Sequence, residues 1–391
     1  MRIAYPMRVD ATDKPGGDVI QVRHYIAEGR RAGKHGAAQF EGVLLDDLRA
    51  DLSGFDLVHL TNIDRPVDTW TSFLLARAAG KPIVLSTIHH SYEEIERFER
   101  HGRGGLVGGF SGRLGFRRLE FLRSALRSVR YPALAWPTAS MMRGGMLAAQ
   151  RSLLAGADRI LVLTEKEKQD LVRDFGSIAE EKVRCVRNGI AISPDALDGN
   201  TPREIDVCMV GRIEPRKNQI AVLCALERLG VSGVFIGGEN PNHRGYCRQF
   251  QEMLAGSGSR WLGAIPHEET LRYLRSARVH VSASWFEVAS LVDLEACAAG
   301  CGIVSSRCGG TAEVLGERAE YVDPGSEASI QEGICKMLER SAGENPIAAV
   351  QPATAHLHES WSEIGERLAG VYRECVRANS ASVSRRGGET Q

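Results

Sequence analysis

A disulfide framework is missing from this chain. Its first 184 residues carry no cysteine, and the nine that follow are scattered and odd in number, with no C-x-x-C pair. Such usage fits buried or idle thiols in a reducing cytosol. Cys297, Cys301 and Cys308 lack paired spacing and lie in an apolar run of Ala and Gly, so no metal site is expected there. A D-x-D pair able to hold a divalent ion is absent throughout. Net charge is absent too: Lys+Arg 49 balance Asp+Glu 49, which argues against nucleic acid as partner. No window approaches ~18 uncharged apolar residues, and "MRIAYPMRVDATD" has charge where a signal peptide needs its apolar core. These absences predict a cytoplasmic chain with neither a membrane span nor an export signal.

What is present is the composition of a globular protein, 43% hydrophobic and 25% charged over 391 residues, a length that favours two domains. "RIAYPM", "FDLVHL", "KPIVLSTIHH" and "DRILVLT" read as strands in the first half. "IDVCMVGRI", "VSGVFIGG", "RVHVSAS" and "CGIVSS" read as strands in the second. Continuous rather than alternating apolar runs, separated by helical stretches, indicate parallel sheets covered on both faces. The expected architecture is α/β, two Rossmann-like doubly wound domains facing across a cleft, with ligands at the carboxyl ends of the strands. Domain boundaries follow from composition. Residues 1–187 form the first domain and 188–204, rich in turn formers, a linker. Residues 205–355 form the second domain, 356–378 a C-terminal helix, and 379–391 a disordered tail.

One segment breaks the pattern. Residues 97–151 carry eleven Arg, no Lys and two acids, beginning with the glycine-rich "HGRGGLVGGFSG". Leu114, Phe121, Leu122 and Leu126 can share a helical face. Two readings stand: a basic amphipathic helix lying on anionic lipid, or a helical pair folded onto the first domain with its arginines in water.

The chemistry concentrates in the second half. In "WFEVASLVDLEACAAGCGIV", Ser290 and Asp293 form an S-x-x-D signal that starts a helix, closed by Gly300. Glu287 precedes that start and Glu295 follows it. A helix N-terminus favours phosphate, and carboxylates accept from hydroxyls, so a phosphate held between sugars suits the site. An ordinary acidic helix has the same E-x7-E spacing. In "VGRIEPRKNQ", Arg212, Arg216 and Lys217 cluster where a strand gives way to a helix, a poor arrangement for the helix dipole unless an anion is bound. These cations can neutralise a diphosphate without a metal.

Together with "GGDVIQVRHYIAEGRRAG", "ADRILVLTEKEKQDL", "VRNGI", "FIGGENPN" and "GGTAEVLGERAEYVDPGS", these motifs resemble the retaining glycosyltransferases of family four, which have the GT-B fold. The resemblance implies transfer of a sugar from a nucleotide-diphosphate donor to a hydroxyl of a saccharide or lipid-linked acceptor, with no cofactor and no divalent metal. It implies that Arg212 and Lys217 contact the diphosphate, Glu287 the donor sugar and Glu295 the ribose. Amides near Ser290 and Leu291 meet the distal phosphate, and Gly16 and Gly17 approach donor and acceptor. His89 or His90 lies near the reacting centre, or else simply caps its strand. The likeness also implies a front-face route. Two departures stand out: "VAS" (Val288, Ala289, Ser290) replaces a Gly-Phe-Gly run, and "KN" replaces "KG". Two alternatives stay open: a nucleotide-sugar epimerase, which would share the same scaffold and cleft, and, because the glycines after Glu287 are missing, a non-catalytic nucleotide-sugar binder. The arginine-rich segment suggests an acceptor at a membrane surface, in cell-surface polysaccharide synthesis, with the protein peripheral on that membrane.

Overall fold

The apolar runs of the first half lie side by side in one parallel sheet of the computed structural model, which describes residues 1–12, 16–32, 40–103, 116–190, 202–341 and 359–388. The chain divides into a first unit of residues 1–90, 114–189 and 359–391 and a second of 91–113 and 190–358. The first contains β1 (Arg2–Pro6), α1 (Gly17–Ala32), β2 (Glu41–Leu45), β3 (Leu57–Thr61), α2 (Pro66–Ala78) and β4 (Ile83–Ser86). Helix α3 (Tyr92–Arg97) groups with the second unit. The first unit then resumes with α4 (Phe116–Arg130), α5 (Ala135–Gly144), α6 (Met146–Gly156), β5 (Arg159–Val162), α7 (Glu165–Phe175) and β6 (Val183–Cys185). Its strand order is β2-β1-β3-β4-β5-β6, every pair parallel.

The second unit repeats the plan. It contains β7 (Ile205–Val210), α8 (Gln219–Leu229), β8 (Gly233–Ile236), α9 (Arg244–Leu254), β9 (Arg260–Trp261) and α10 (His267–Arg275). It continues with β10 (Ala277–Ser282), α11 (Leu291–Ala298), β11 (Gly302–Ser306), α12 (Thr311–Leu315), β12 (Ala319–Val322) and α13 (Glu327–Arg340). The order is β12-β11-β10-β7-β8-β9, again parallel. Both faces are buried, as unbroken apolar strands require. Val207 and Met209 join one cluster with Phe250 and Ile330, while Cys208 between them joins another with Leu294 and Ile303. Each such side chain contributes about 1.5–3 kcal/mol relative to exposure. Burial also holds the thiols protonated, pushing Cys297 to about 11 and Cys301 to about 12.

Three details differ from the sequence expectation. The segment 97–151 is divided: its beginning groups with the second unit and α4–α6 with the first. Arg97 clasps Asp323 at 2.6 and 2.8 Å, Glu94 accepts the Gly309 N–H at 2.9 Å, and a Cβ on Gly102 would collide with Trp285. Secondly, the final helix α14 (Trp361–Gly388) runs beyond residue 378 into the stretch expected to be disordered. Its serine is accommodated because Ser380 Oγ donates to the Val376 carbonyl at 3.0 Å. Thirdly, the turn formers of "PGGD" predict a turn at Pro15 followed by Asp18 as the cap of the first helix; Asp18 lies instead within α1, and Arg8 holds its carboxylate at 2.8 Å. The turn at Pro15, most of "HGRGGLVGGFSG", Leu114 and most of the linker fall outside the described residues.

Helix α14 belongs to the first unit through a buried polar chain: Tyr372 Oη meets Tyr5 Oη at 2.7 Å and His59 Nδ1 at 2.7 Å. Removing the shared hydroxyl strands both partners, so Tyr372→Phe is expected to cost about 1–3 kcal/mol in urea unfolding of the full chain. An unchanged unfolding midpoint would show that the helix is only loosely held.

Candidate functional site

Strand order locates the first site. In the second unit the chain leaves β7 toward β8 on one side, and β10 lies on the other, so the connections diverge between β7 and β10. A doubly wound sheet opens a crevice at that place, beyond the strand ends. The two loops there are the ones carrying the basic and acidic motifs, 211–218 and 283–290.

These loops brace each other. Trp285 N–H donates to the Arg216 carbonyl at 2.9 Å, and Arg216 Nη1 donates to the Phe286 carbonyl at 3.2 Å. The Arg216 guanidinium bonds Glu214 at 3.1 Å and Glu287 at 3.0 Å. Lys217 Nζ also bonds Glu287 Oε1. Glu214 is buried and takes the Asn240 amide at 2.5 Å; burial would raise its carboxyl, but Arg216 and Arg212 outweigh that and lower it. Arg216 is therefore a bridge between two carboxylates. Arg212 differs: half-buried, it has no ion-pair partner among the described residues. The two loops together carry three cations and two carboxylates.

Behind them stands the start of α11. Ser290 Oγ accepts from the Asp293 N–H at 3.3 Å and donates to Asp293 Oδ1 at 2.6 Å. The Ser290 N–H goes to Thr311 Oγ1 at 3.2 Å, so the reciprocal half of a capping box is absent. Asp293 is fully buried and also takes Ser305 Oγ at 2.6 Å and His280 at 3.3 Å. Gly300, at φ +77°, closes the helix as expected. Gly309 is required where it stands: at φ +90°, a Cβ would overlap the Glu287 carbonyl. Glu295 accepts from or shares a proton with His267 Nε2 at 2.8 Å, and that hydrogen bond raises His267 above its ordinary range.

The first unit has a matching divergence between β1 and β3. Arg8, after β1, holds Asp10 at 2.6 Å and Asp18 at 2.8 Å, while Arg65, after β3, reaches Asp10 at 3.0 Å. Burial would raise Asp10, but Arg65 and Arg8 hold it at about 2. Gly16 lies beside this network: a Cβ there would meet the Asp18 carboxylate, whereas one on Gly17 would find open space.

His89 and His90 part company. Ile88, a β-branched residue at φ +43°, turns the chain sharply after β4. His89 is 1% exposed, with Nδ1 on Asp64 at 2.6 Å, Nε2 on Asp174 at 2.9 Å and its N–H on Glu167 at 2.8 Å. Burial would lower His89, but Asp64 and Asp174 more than offset it and raise it to about 10. His90 keeps its side chain 23% exposed, and Asp64 Oδ2 holds its Nδ1 at 2.9 Å and its N–H at 2.8 Å. One aspartate thus fixes both histidines.

No local pattern marks Asp64, Asp174, Glu167 or His267 as partners of these groups, nor Asp293 beyond its cap signal. Asp64 and Asp174 are far from the histidines in sequence, and no local spacing marks them. "HEE" at 267–269 starts α10, but only tertiary packing puts its histidine on Glu295.

A group 1 glycosyl transferase model matches residues 198–350, and a glycosyltransferase family 4 model matches 9–193. Glycogen synthase from Mycobacterium tuberculosis is 26% identical over 244 residues, 59% of this chain and 57% of its own. The chain thus spans less than two thirds of that relative. Sucrose-phosphate synthase from Thermosynechococcus elongatus has a similar structure, with TM-score 0.70 at 17% identity over 97% of this chain and 100% of its own. Anabaena HepE, solved with UDP, gives TM-score 0.64 at 14% identity over 96% of this chain and 100% of its own.

Linkage gives His89 a pH signature. Raised from 6.5 to about 10, it contributes stability fully below 6.5, and that contribution fades as pH rises to about 10. The wild-type melting temperature should fall over that interval. In His89→Gln the fall should be smaller and overall stability lower by about 3–5 kcal/mol, because two buried carboxylates lose their cation. Parallel pH profiles of the two proteins would refute a buried histidinium.

Proposed function

The chain belongs to glycosyltransferase family 4, and we propose that it moves a sugar from a nucleotide-diphosphate donor to an acceptor hydroxyl. The observation that carries this reading is that the loops bearing Arg212, Lys217 and the start of α11 follow β7 and β10, where the second sheet's connections diverge. That place suits a nucleotide, and its charge suits a diphosphate. The UDP bound in Anabaena HepE supports the same donor class.

In this reading Arg212 and Lys217 contact the diphosphate, with the first-turn amide of Leu291 at the distal phosphate. Ser290 holds the helix start through Asp293. Glu295, steadied by His267, accepts from ribose hydroxyls, and Glu287 from the sugar. Arg216 acts as the brace that aims Glu287. Gly16 and Gly17 leave room for donor and acceptor, and His90, oriented by Asp64, is the histidine near the reacting centre.

Bond breaking places charge on the leaving diphosphate, which preorganised cations and amides stabilise. We assign a front-face route that keeps the anomeric configuration, the leaving phosphate taking the acceptor proton, with no divalent metal required. The acceptor is a saccharide or lipid-linked saccharide at a membrane surface, within cell-surface polysaccharide synthesis.

Incubation with labelled nucleotide sugars and a lipid extract tests the assignment. Wild-type protein should transfer label, and Lys217→Ala and Glu295→Ala should each lower kcat/KM by about 10² to 10³ while folding normally. Near-normal turnover in both variants would sink it, and isomerised donor without transfer would point to an epimerase.

A further inference from the structure

Helix α4 wears its polarity inside out. Glu120 and Ser124 are buried, and Arg127 bonds Glu120 at 2.6 Å, Ser124 Oγ at 2.8 Å and Asp68 at 3.3 Å. Ser128 Oγ meets buried Thr138 at 2.8 Å. The opposite face is apolar and points to solvent: Leu122, Leu126 and Val129, at i, i+4 and i+7, are 48%, 73% and 85% exposed. Trp136, at the start of α5, is 50% exposed. At about 100° per residue the three α4 side chains fall on one stripe. Large exposed apolar side chains elsewhere, Ile20, Leu75 and Val172, are widely separated in sequence.

Charge completes the pattern. Residues 116–157 contain seven Arg and a single acid, Glu120, which is turned inward against Arg127. Arg118, Arg130 and Arg143 are exposed. A solvated surface helix gains nothing from exposing its apolar stripe, whereas the headgroup boundary of an anionic bilayer accepts both the stripe and the arginines. A second copy is a poor occupant, because a twofold contact would set this arginine-rich patch against itself.

We propose that α4 and α5 dock on an anionic lipid surface, with Leu122, Leu126, Val129 and Trp136 entering the boundary and Arg118, Arg130 and Arg143, the last at the far end of α5, on lipid phosphates. Arg127, bound inward, takes no part. The proposal gives a surface to the membrane-borne acceptor inferred above, and rests on that reading for its purpose alone, since docking needs no donor.

Flotation of the full chain with vesicles of phosphatidylcholine, with and without phosphatidylglycerol, is the test. Wild-type protein should float with the anionic vesicles only. Leu126→Ser with Val129→Ser should lower partitioning about tenfold or more. Arg118→Ser, Arg130→Ser and Arg143→Ser together should lower it roughly a hundredfold, at about fivefold per arginine. All these side chains lie in solvent, so melting temperature should hold. Failure of wild-type protein to float at low salt, or flotation of both variants like wild type, overturns the proposal. So does a dimer that Leu126→Ser dissolves, which would assign the stripe to a second copy. Transfer to a soluble acceptor, assayed in parallel, keeps the two readings separate: flotation without any transfer refutes the enzyme, and transfer without flotation refutes the docking surface.

Discussion

Burial of both faces of two parallel sheets is the constraint on which everything else in this chain depends. A strand such as β7, with Val207 and Met209 in one core cluster and Cys208 in another, has no face left for polar chemistry. Parallel connections bring each strand out at the same end, so the polar residues of the loops collect there. The strand order then selects the gap between β7 and β10 in one unit and between β1 and β3 in the other. Both gaps are lined with charged side chains.

That pairing is asymmetric in a way that matters for chemistry. Around the β1 and β3 ends, Arg8, Arg65 and Arg127 pair with Asp10, Asp18 and Asp68. Around the β7 and β10 ends, Arg216 lies between Glu214 and Glu287, and Arg212 makes no salt bridge among the described residues, though its charge also lowers Glu214. Desolvated ion pairs hold geometry more than they add stability. In this setting Arg216 and Lys217 fix the loop that carries Glu287, and the cationic surplus suits a diphosphate.

Much of this was legible in the sequence. Eight apolar runs announced eight of the strands, because a doubly buried strand must be apolar throughout. The short edge strands β2, β6, β9 and β12 carry no such signature, being partly exposed. The signal at Ser290 and Asp293 gave the start of α11, but the aspartate's bonds to Ser305 and His280 come from neighbouring strands. A hydrophobic face on α4 was also foreseeable. Its direction was not, and Arg127, which read as a solvent or lipid charge, turned out to be bound inward to Asp68 and Glu120.

Local sequence by itself determined the elements, their alternation and the family, since apolar continuity, caps and motif spacing act over a few residues. Only the tertiary structure gave the two histidines different surroundings. Asp64 and Asp174 enclose His89 and leave His90 partly exposed, across sequence separations that no local pattern spans. It likewise decided that Arg216 bridges two carboxylates while Arg212 makes no salt bridge among the described residues, because a charge's role depends on which opposite charge folding brings within reach.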